Sequence, residues 1–215
     1  MRLTGIDGLD RLVSPLRRGW IVEFYGGEAT LRLVYHRAIA EASRRGRVAV
    51  VHVQEFGGLN PYLLSRLARI AGGSVDNIVV SRAFRLGDVA GLIRRAVETG
   101  AETIVVVDPY LYAPRSWRGY ARLSPITAAL REAAARATVV VANRATRYGS
   151  HWLPEGGGFH HHSVHVMVRL QPARRGVLAV LVKHPWKKAP RMTLVPSSEV
   201  VGLSWVGRRP LLEYL

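Results

Sequence analysis

Cysteine is absent from this 215-residue sequence. Disulfides, thiolate-bound metals and cysteine nucleophiles are therefore excluded, and any metal would need histidine or carboxylate ligands. Acidic side chains are scarce, with 15 Asp and Glu against 31 Lys and Arg, a formal net charge of +16 and a pI near 11.3. No apolar run approaches the roughly 20 residues that span a bilayer. The opening MRLTGIDGLDRLV lacks the continuous apolar stretch of a secretory signal. A soluble, cytoplasmic protein without a membrane partner is expected.

The cationic excess is mostly arginine. Guanidinium groups bind phosphate oxygens in pairs, and clustered cations gain free energy by releasing counterions from a polyanion. Nucleic acid is the partner this composition favours. Arginine-rich surface networks in a thermophilic protein would have the same composition.

Strands and helices alternate over the first 150 residues. WIVEFYG, RVAVVHVQ, NIVVSRAF, TIVVVDP and TVVVANR read as strands, the last two apolar on both faces as in a covered parallel sheet. TLRLVYHRAIAEASRRG, NPYLLSRLARIAGG, LGDVAGLIRRAVETG and SPITAALREAAARA read as helices, with Ser124 as N-cap and Pro125 at the first helical position of the last. Beyond residue 150, SVHVMVRLQ, GVLAVLVKH and RMTLVP read as strands without helices between them. The expectation is one α/β domain over residues 1–215. Its sheet is mainly parallel and twisted, flanked by helices, and extended by antiparallel C-terminal strands.

In such a sheet, function gathers at the carboxyl ends of the strands. Those ends are YGGEAT, QEFGGLN, DPYLYAPRSWRGYAR and NRATRYGSHWLPEGGG. The first has the outline of a phosphate-binding loop, G-x-x-x-x-G-K-[ST]. There, small residues let backbone N–H groups wrap a phosphate, lysine neutralises it and a hydroxyl holds magnesium. With Gly26 as the first glycine, Leu31, Arg32 and Leu33 fall at the Gly-Lys-Ser/Thr places. Leu31 would resist a positive φ, Leu33 cannot hold a metal, and Arg32 keeps charge with a different reach.

Several segments, in order, resemble the RecA/RadA recombinase core. LTGIDGLDRLVSPLRRGWIVEFYG is similar to its T-G-x-x-x-L-D segment and the strand leading into its phosphate loop. VVVDP resembles its Walker B strand, with Asp108 at the magnesium-associated place. PEGGGFHHHSVHVMVRL resembles the segment closing its second DNA-binding loop, His162 and Ser163 matching an H-[AS] pair. VLAVLVKHPWKKAPRMTLV resembles its last hairpin, with His184 and Pro185 in the cap over a neighbour's nucleotide. On a chain of this length the resemblance implies a RecA-like P-loop NTPase core of RadB-like size, without RadA's extra N-terminal helical domain. It also implies Glu55 as catalytic glutamate, and places Arg144 where the family has a γ-phosphate-sensing glutamine.

A hydrolytic site needs cradle, metal and water activation together. The expectation is therefore a degenerate nucleotide site at Gly26, Gly27, Thr30 and Arg32, with no cofactor and no ordinary ATP hydrolysis. The alternative is an atypical ATPase using ATP and magnesium, with Glu55 and Asp108 catalytic. The family's two DNA loops correspond to Arg115, Trp117, Arg118, Tyr120 and Arg122, and to Arg144, Arg147, Tyr148, His151 and Trp152. Arginine interleaved with aromatic rings suits single-stranded DNA, phosphates meeting guanidinium groups and bases stacking on rings. The implied role is accessory to homologous recombination or DNA repair, on DNA or as a partner of an authentic recombinase. HHHSVH invites a metal, but on a strand His160 and His162 share one face and His161 and His165 the other, too few for zinc. No metal site is expected.

Overall fold

The computed structural model describes residues 2–54, 58–114, 121–148 and 151–201. Its elements run α1 (Asp7–Val13), β1 (Ile21–Gly26), α2 (Glu28–Arg45), β2 (Val48–Val53), α3 (Pro61–Ala71), β3 (Ile78–Ala83), α4 (Leu86–Glu98) and β4 (Thr103–Val107). They continue with α5 (Ser124–Ala134), β5 (Thr138–Tyr148), β6 (His151–Pro154), α6 (Gly157–Ser163), β7 (Val166–Ala173), β8 (Gly176–Lys183), β9 (Arg191–Pro196) and α7 (Ser197–Val201). The sheet order is β3-β2-β4-β5-β1-β7-β8-β9, with β6 paired to β5. The strands from β3 to β7 in this order are mutually parallel, and the pairs β7–β8 and β8–β9 are antiparallel.

Strand alternation builds two cores. Val22, Phe24, Val105, Val107, Val140 and Ala142 pack with α1, α2 and α3 on one face. Ile21, Tyr25, Ile104, Val106, Val139 and Val141 pack with α4 and α5 on the other. The same parity sends Arg144 towards α2 and Asn143 towards α5 and α6. Local capping sets α3: Asn60 accepts the Leu63 N–H at 3.0 Å, Pro61 opens the helix, and Gly72 closes it at φ +76°. Among the described residues, no helix is long and apolar enough to cross a membrane.

Four local expectations are corrected. Ser124 is the first helical residue of α5, with Leu123 at the cap position and no side-chain cap bond. The region after residue 150 carries two short helices, α6 and α7. The run GGFHHHS is helical, so the strand parity drawn for its histidines does not apply. Finally, β5 continues past Arg144 to Tyr148 and folds back into β6, turning part of the expected second loop into a β-hairpin.

Candidate functional site

The connection from β1 to α2 is one residue long. The strand ends at Gly26, the helix begins at Glu28, and Gly27 is the N-cap at φ −75°. The first helical bond runs from Leu31 N to Gly27 O at 3.0 Å. Leu31 therefore has helical backbone, and its side chain is core at 3% exposure. Thr30 is buried in the same turn, and Arg32 and Leu33 are helical. Gly26 answers to sheet packing: a Cβ there would stand 2.4 Å from the Leu170 carbonyl oxygen on β7. Around Gly27, by contrast, a Cβ would meet nothing within 4 Å.

Four charged side chains join across the ends of β1, β4 and β5. Glu28, in the first turn of α2, receives Arg32 Nη2 on Oε1 at 3.1 Å and faces Arg144 Nη2 with Oε2 at 3.5 Å. Arg144 Nε donates to Asp108 Oδ2 at 3.2 Å. The helix dipole favours the Glu28 carboxylate in the first turn of α2. Asp108 itself is only 6% exposed, and it has φ +52° where a side chain ordinarily avoids the left-handed region. Its backbone N–H donates to Ala142 O on β5 at 2.8 Å, continuing the β4–β5 pairing one residue past Val107. Oδ1 is buried without a partner among the described residues. Burial pushes its carboxyl up to about 6, against the pull of Arg144.

Beside this chain lie two neutral histidines that sequence reasoning missed. His36 Nε2 accepts the Asn60 N–H at 2.9 Å, so Nδ1 carries the proton and donates to Arg32 O at 2.7 Å. Burial lowers His36 to about 4. His52 is lowered to about 4 by burial and then by Arg82, and neither ring nitrogen has a partner among the described residues. Their lone positions in an apolar helix face and an apolar strand carried no signal of this arrangement.

A second polar network crosses the opposite face. Glu23 Oε1 accepts from Asn143 Nδ2 at 2.8 Å and lies 2.8 Å from His160 Nε2. His160 Nδ1 is 2.8 Å from the Tyr110 hydroxyl, which is 2.9 Å from Thr127 Oγ1. Asn143 Nδ2 also donates to Glu155 O at 2.8 Å. All five side chains are buried. The chain thus links α5, β1, β5, α6 and the segment after β4. Gly156, at φ +117°, admits it, since a Cβ there would come within 2.7 Å of the Tyr110 ring. The visible signal was a carboxylate, Glu23, inside an otherwise apolar strand. The three consecutive histidines diverge: His160 points inward, His161 Nε2 donates to Pro154 O at 2.8 Å, and His162 is exposed. Among the described residues no three His, Asp or Glu side chains are placed to hold a metal ion.

Of the expected DNA-contacting residues, Arg115, Trp117, Arg118 and Tyr120 lie outside the described residues, as does Glu55. Arg122 is exposed just before α5. The β5–β6 hairpin pairs Arg147 with Trp152, and Tyr148 with His151. Trp152 is 44% exposed, and Arg147 and His151 are exposed beside it. Directly cross-strand residues share a face, so Arg147 and Trp152 stand side by side on one face of the hairpin. Arg144 does not join them; its guanidinium is turned to Asp108 and Glu28.

No family model matches the chain, and no curated protein matches it. Among solved structures it is similar to the crystal structure of the RadB recombinase, with a TM-score of 0.75 and 18% identity over 93% of this chain and 97% of that one. At that identity the likeness establishes the fold, a RecA-like core with a mostly parallel sheet and antiparallel C-terminal strands.

Proposed function

We propose that this chain, a recombinase fold whose strand-end charges are already paired with one another, binds DNA without ordinary ATP hydrolysis and assists homologous recombination or DNA repair. The observation that carries the reading is the single-residue turn between β1 and α2. A triphosphate is held by several successive backbone N–H groups, a lysine and a magnesium-binding hydroxyl. Here one residue separates strand from helix, and Leu31 is core. The Glu28 carboxylate stands at the helix start, where phosphate charge would otherwise be stabilised. Arg144 supplies Asp108 with the positive charge that a metal ion would bring. Gly26, Gly27, Thr30 and Arg32 are on this reading the remains of a nucleotide site.

The DNA side rests on the hairpin and on charge. Trp152 and Arg147 offer a stacking surface beside a guanidinium, with Arg122 exposed nearby in sequence to the first basic segment. Single-stranded DNA is the favoured substrate, because unpaired bases leave a face free to stack. Arg115, Trp117, Arg118, Tyr120 and Tyr148 complete the proposed contact set from sequence.

Anisotropy titrations with single- and double-stranded oligonucleotides over a salt series test this, alongside a phosphate-release assay with magnesium and ATP. We expect salt-dependent binding, stronger for the single strand, and no release above background. No binding to either oligonucleotide at low salt would end the DNA reading. Steady release abolished by Asp108→Ala would favour the atypical ATPase instead. That second reading draws on the unpartnered Asp108 Oδ1 and its positive φ, since strained, incompletely satisfied carboxylates occur at functional sites.

A further inference from the structure

The segment LTGIDGLD, prominent in the sequence, plays no part in the site above. It folds around one carboxylate: Asp10 Oδ1 accepts from Leu3 N, Thr4 N and Thr4 Oγ1 at 3.0, 2.8 and 2.9 Å, and Oδ2 accepts from Gly5 N at 3.0 Å. The resulting cap lies against the C-terminal half of α2. Gly5 has φ +66°, and a Cβ on it would come within 3.1 Å of Glu41 Oε2. Between this cap, α2 and the end of α3 is a cavity of about 470 Å³. Arg2, Arg37, Glu41 and Arg44 line it, with Ile70 and Ala71 on its apolar side. Arg37 and Arg44 follow Glu28 by 9 and 16 residues on α2, about 14 and 24 Å at 1.5 Å per residue. The cavity is therefore separate from the β1–α2 turn.

Its charges do not balance. Asp10 is taken up by the backbone of residues 3–5, and Asp7 pairs with Arg2 at 3.0 Å. Glu41 is left facing three arginines. Its Oε1 receives Arg44 at 2.8 Å and lies 3.6 Å from Arg45, while Arg37 Nη2 donates to Gly5 O at 2.6 Å. Arg37 Nε and Arg45 Nη2 are buried without an acceptor among the described residues. Arg37, which lines the cavity, has a buried N–H short of an acceptor, and such a guanidinium favours an entering anion. Arginine forks suit phosphate oxygens, and the volume lies in the range of about 300–1,000 Å³ usual for small-ligand pockets. Ile70, 46% exposed at the edge, offers contact to an apolar group.

We propose that this cavity binds a small phosphate-bearing ligand, with Arg37 and Arg44 on the phosphate and Ile70 against its apolar part. The site is independent of DNA binding, so either can fail alone. The test is calorimetric and thermal-shift titration of the whole chain with phenyl phosphate and with inorganic phosphate, at constant ionic strength with chloride as reference. Saturable binding is expected, tighter for phenyl phosphate. Arg44→Ala should weaken it about tenfold, the scale of one lost charge-assisted hydrogen bond. Arg37→Lys should weaken it too, while Lys188→Ala, an equal loss of charge on an exposed residue after β8, should leave it unchanged. If Arg37→Lys also disturbs the cap through Gly5, Arg44→Ala decides, because its side chain is 46% exposed and, among the described residues, bonds only Glu41. A response no larger than chloride's, one that survives Arg44→Ala, or one that Lys188→Ala reduces equally overturns the proposal. The last outcome would reduce it to general attraction of anions to a +16 chain.

Discussion

Arg144 Nε lies 3.2 Å from Asp108 Oδ2, joining the residue after β4 to the middle of the long strand β5. The pair is one-third exposed at the arginine and nearly closed at the aspartate. Its partner carboxylate, Glu28, extends the contact to the start of α2.

This geometry makes stability depend on pH in a stated direction. The folded-state carboxyl of Asp108 titrates near 6, above its ordinary value of 3.8. The native state therefore holds the proton more tightly, so the contribution is full below about pH 4 and is lost as pH rises through about 6. Asp108→Asn cannot lose a proton. Its stability relative to the parent should rise between pH 4 and 7, as read by chemical denaturation across that range. A difference that stays flat would mean that Asp108 is not raised.

The two adjacent glycines should respond oppositely to alanine. Gly26→Ala forces a methyl onto the Leu170 carbonyl and should cost about 1–3 kcal/mol by overpacking. Gly27→Ala meets open space at an ordinary φ and should change stability by less than about 1 kcal/mol. Thermal melts of the two variants check this. Equal losses would indicate that Gly27 needs its freedom, as in a wrapped phosphate loop.

On DNA, Trp152→Ala should weaken single-strand binding by about 1–3 kcal/mol if one base stacks there. Arg147→Ala should reduce the salt slope by about one. Arg144→Ala should change DNA binding little, because its guanidinium is engaged by Asp108 and Glu28. Anisotropy over a salt series separates the three.

The buried network should be sensitive to a single atom. Tyr110→Phe removes the hydroxyl between His160 and Thr127, leaving both without that partner, and should cost about 1–3 kcal/mol. Glu23→Gln keeps shape but changes the group facing His160 Nε2, and should also destabilise. Equilibrium unfolding measures both; a neutral Tyr110→Phe would show that the hydroxyl network contributes little.

Much of the architecture could be read without coordinates. The apolar runs at β1, β2, β4 and β5, the helical periods between them, and Asn60, Pro61 and Gly72 around α3 are short-range signals, each carried within a few residues. They yielded the α/β class, and Asp108 could be located at the end of β4. The hairpin was not legible, because NRATRY and HWLP are polar enough to resemble a loop and become strands only by pairing with each other. Nor was the direction of β7, whose register partners on β1 stand 144 residues earlier, as Val22 does from Val166, and are joined to it only in space. Nor does anything in the sequence join Glu28 to Arg144, which the fold alone brings within 3.5 Å.

Residue type and spacing dictated the elements and the surplus of positive charge, since propensity, capping and ionisation act over a turn or less. That Arg144 would meet two carboxylates was decided by the crossing of β1, β4 and β5. Parity along β5 sent Arg144 to Asp108 and Glu28 while the hairpin turned Arg147 outward beside Trp152. Such choices depend on distances between residues far apart in the chain, and folding alone sets those distances.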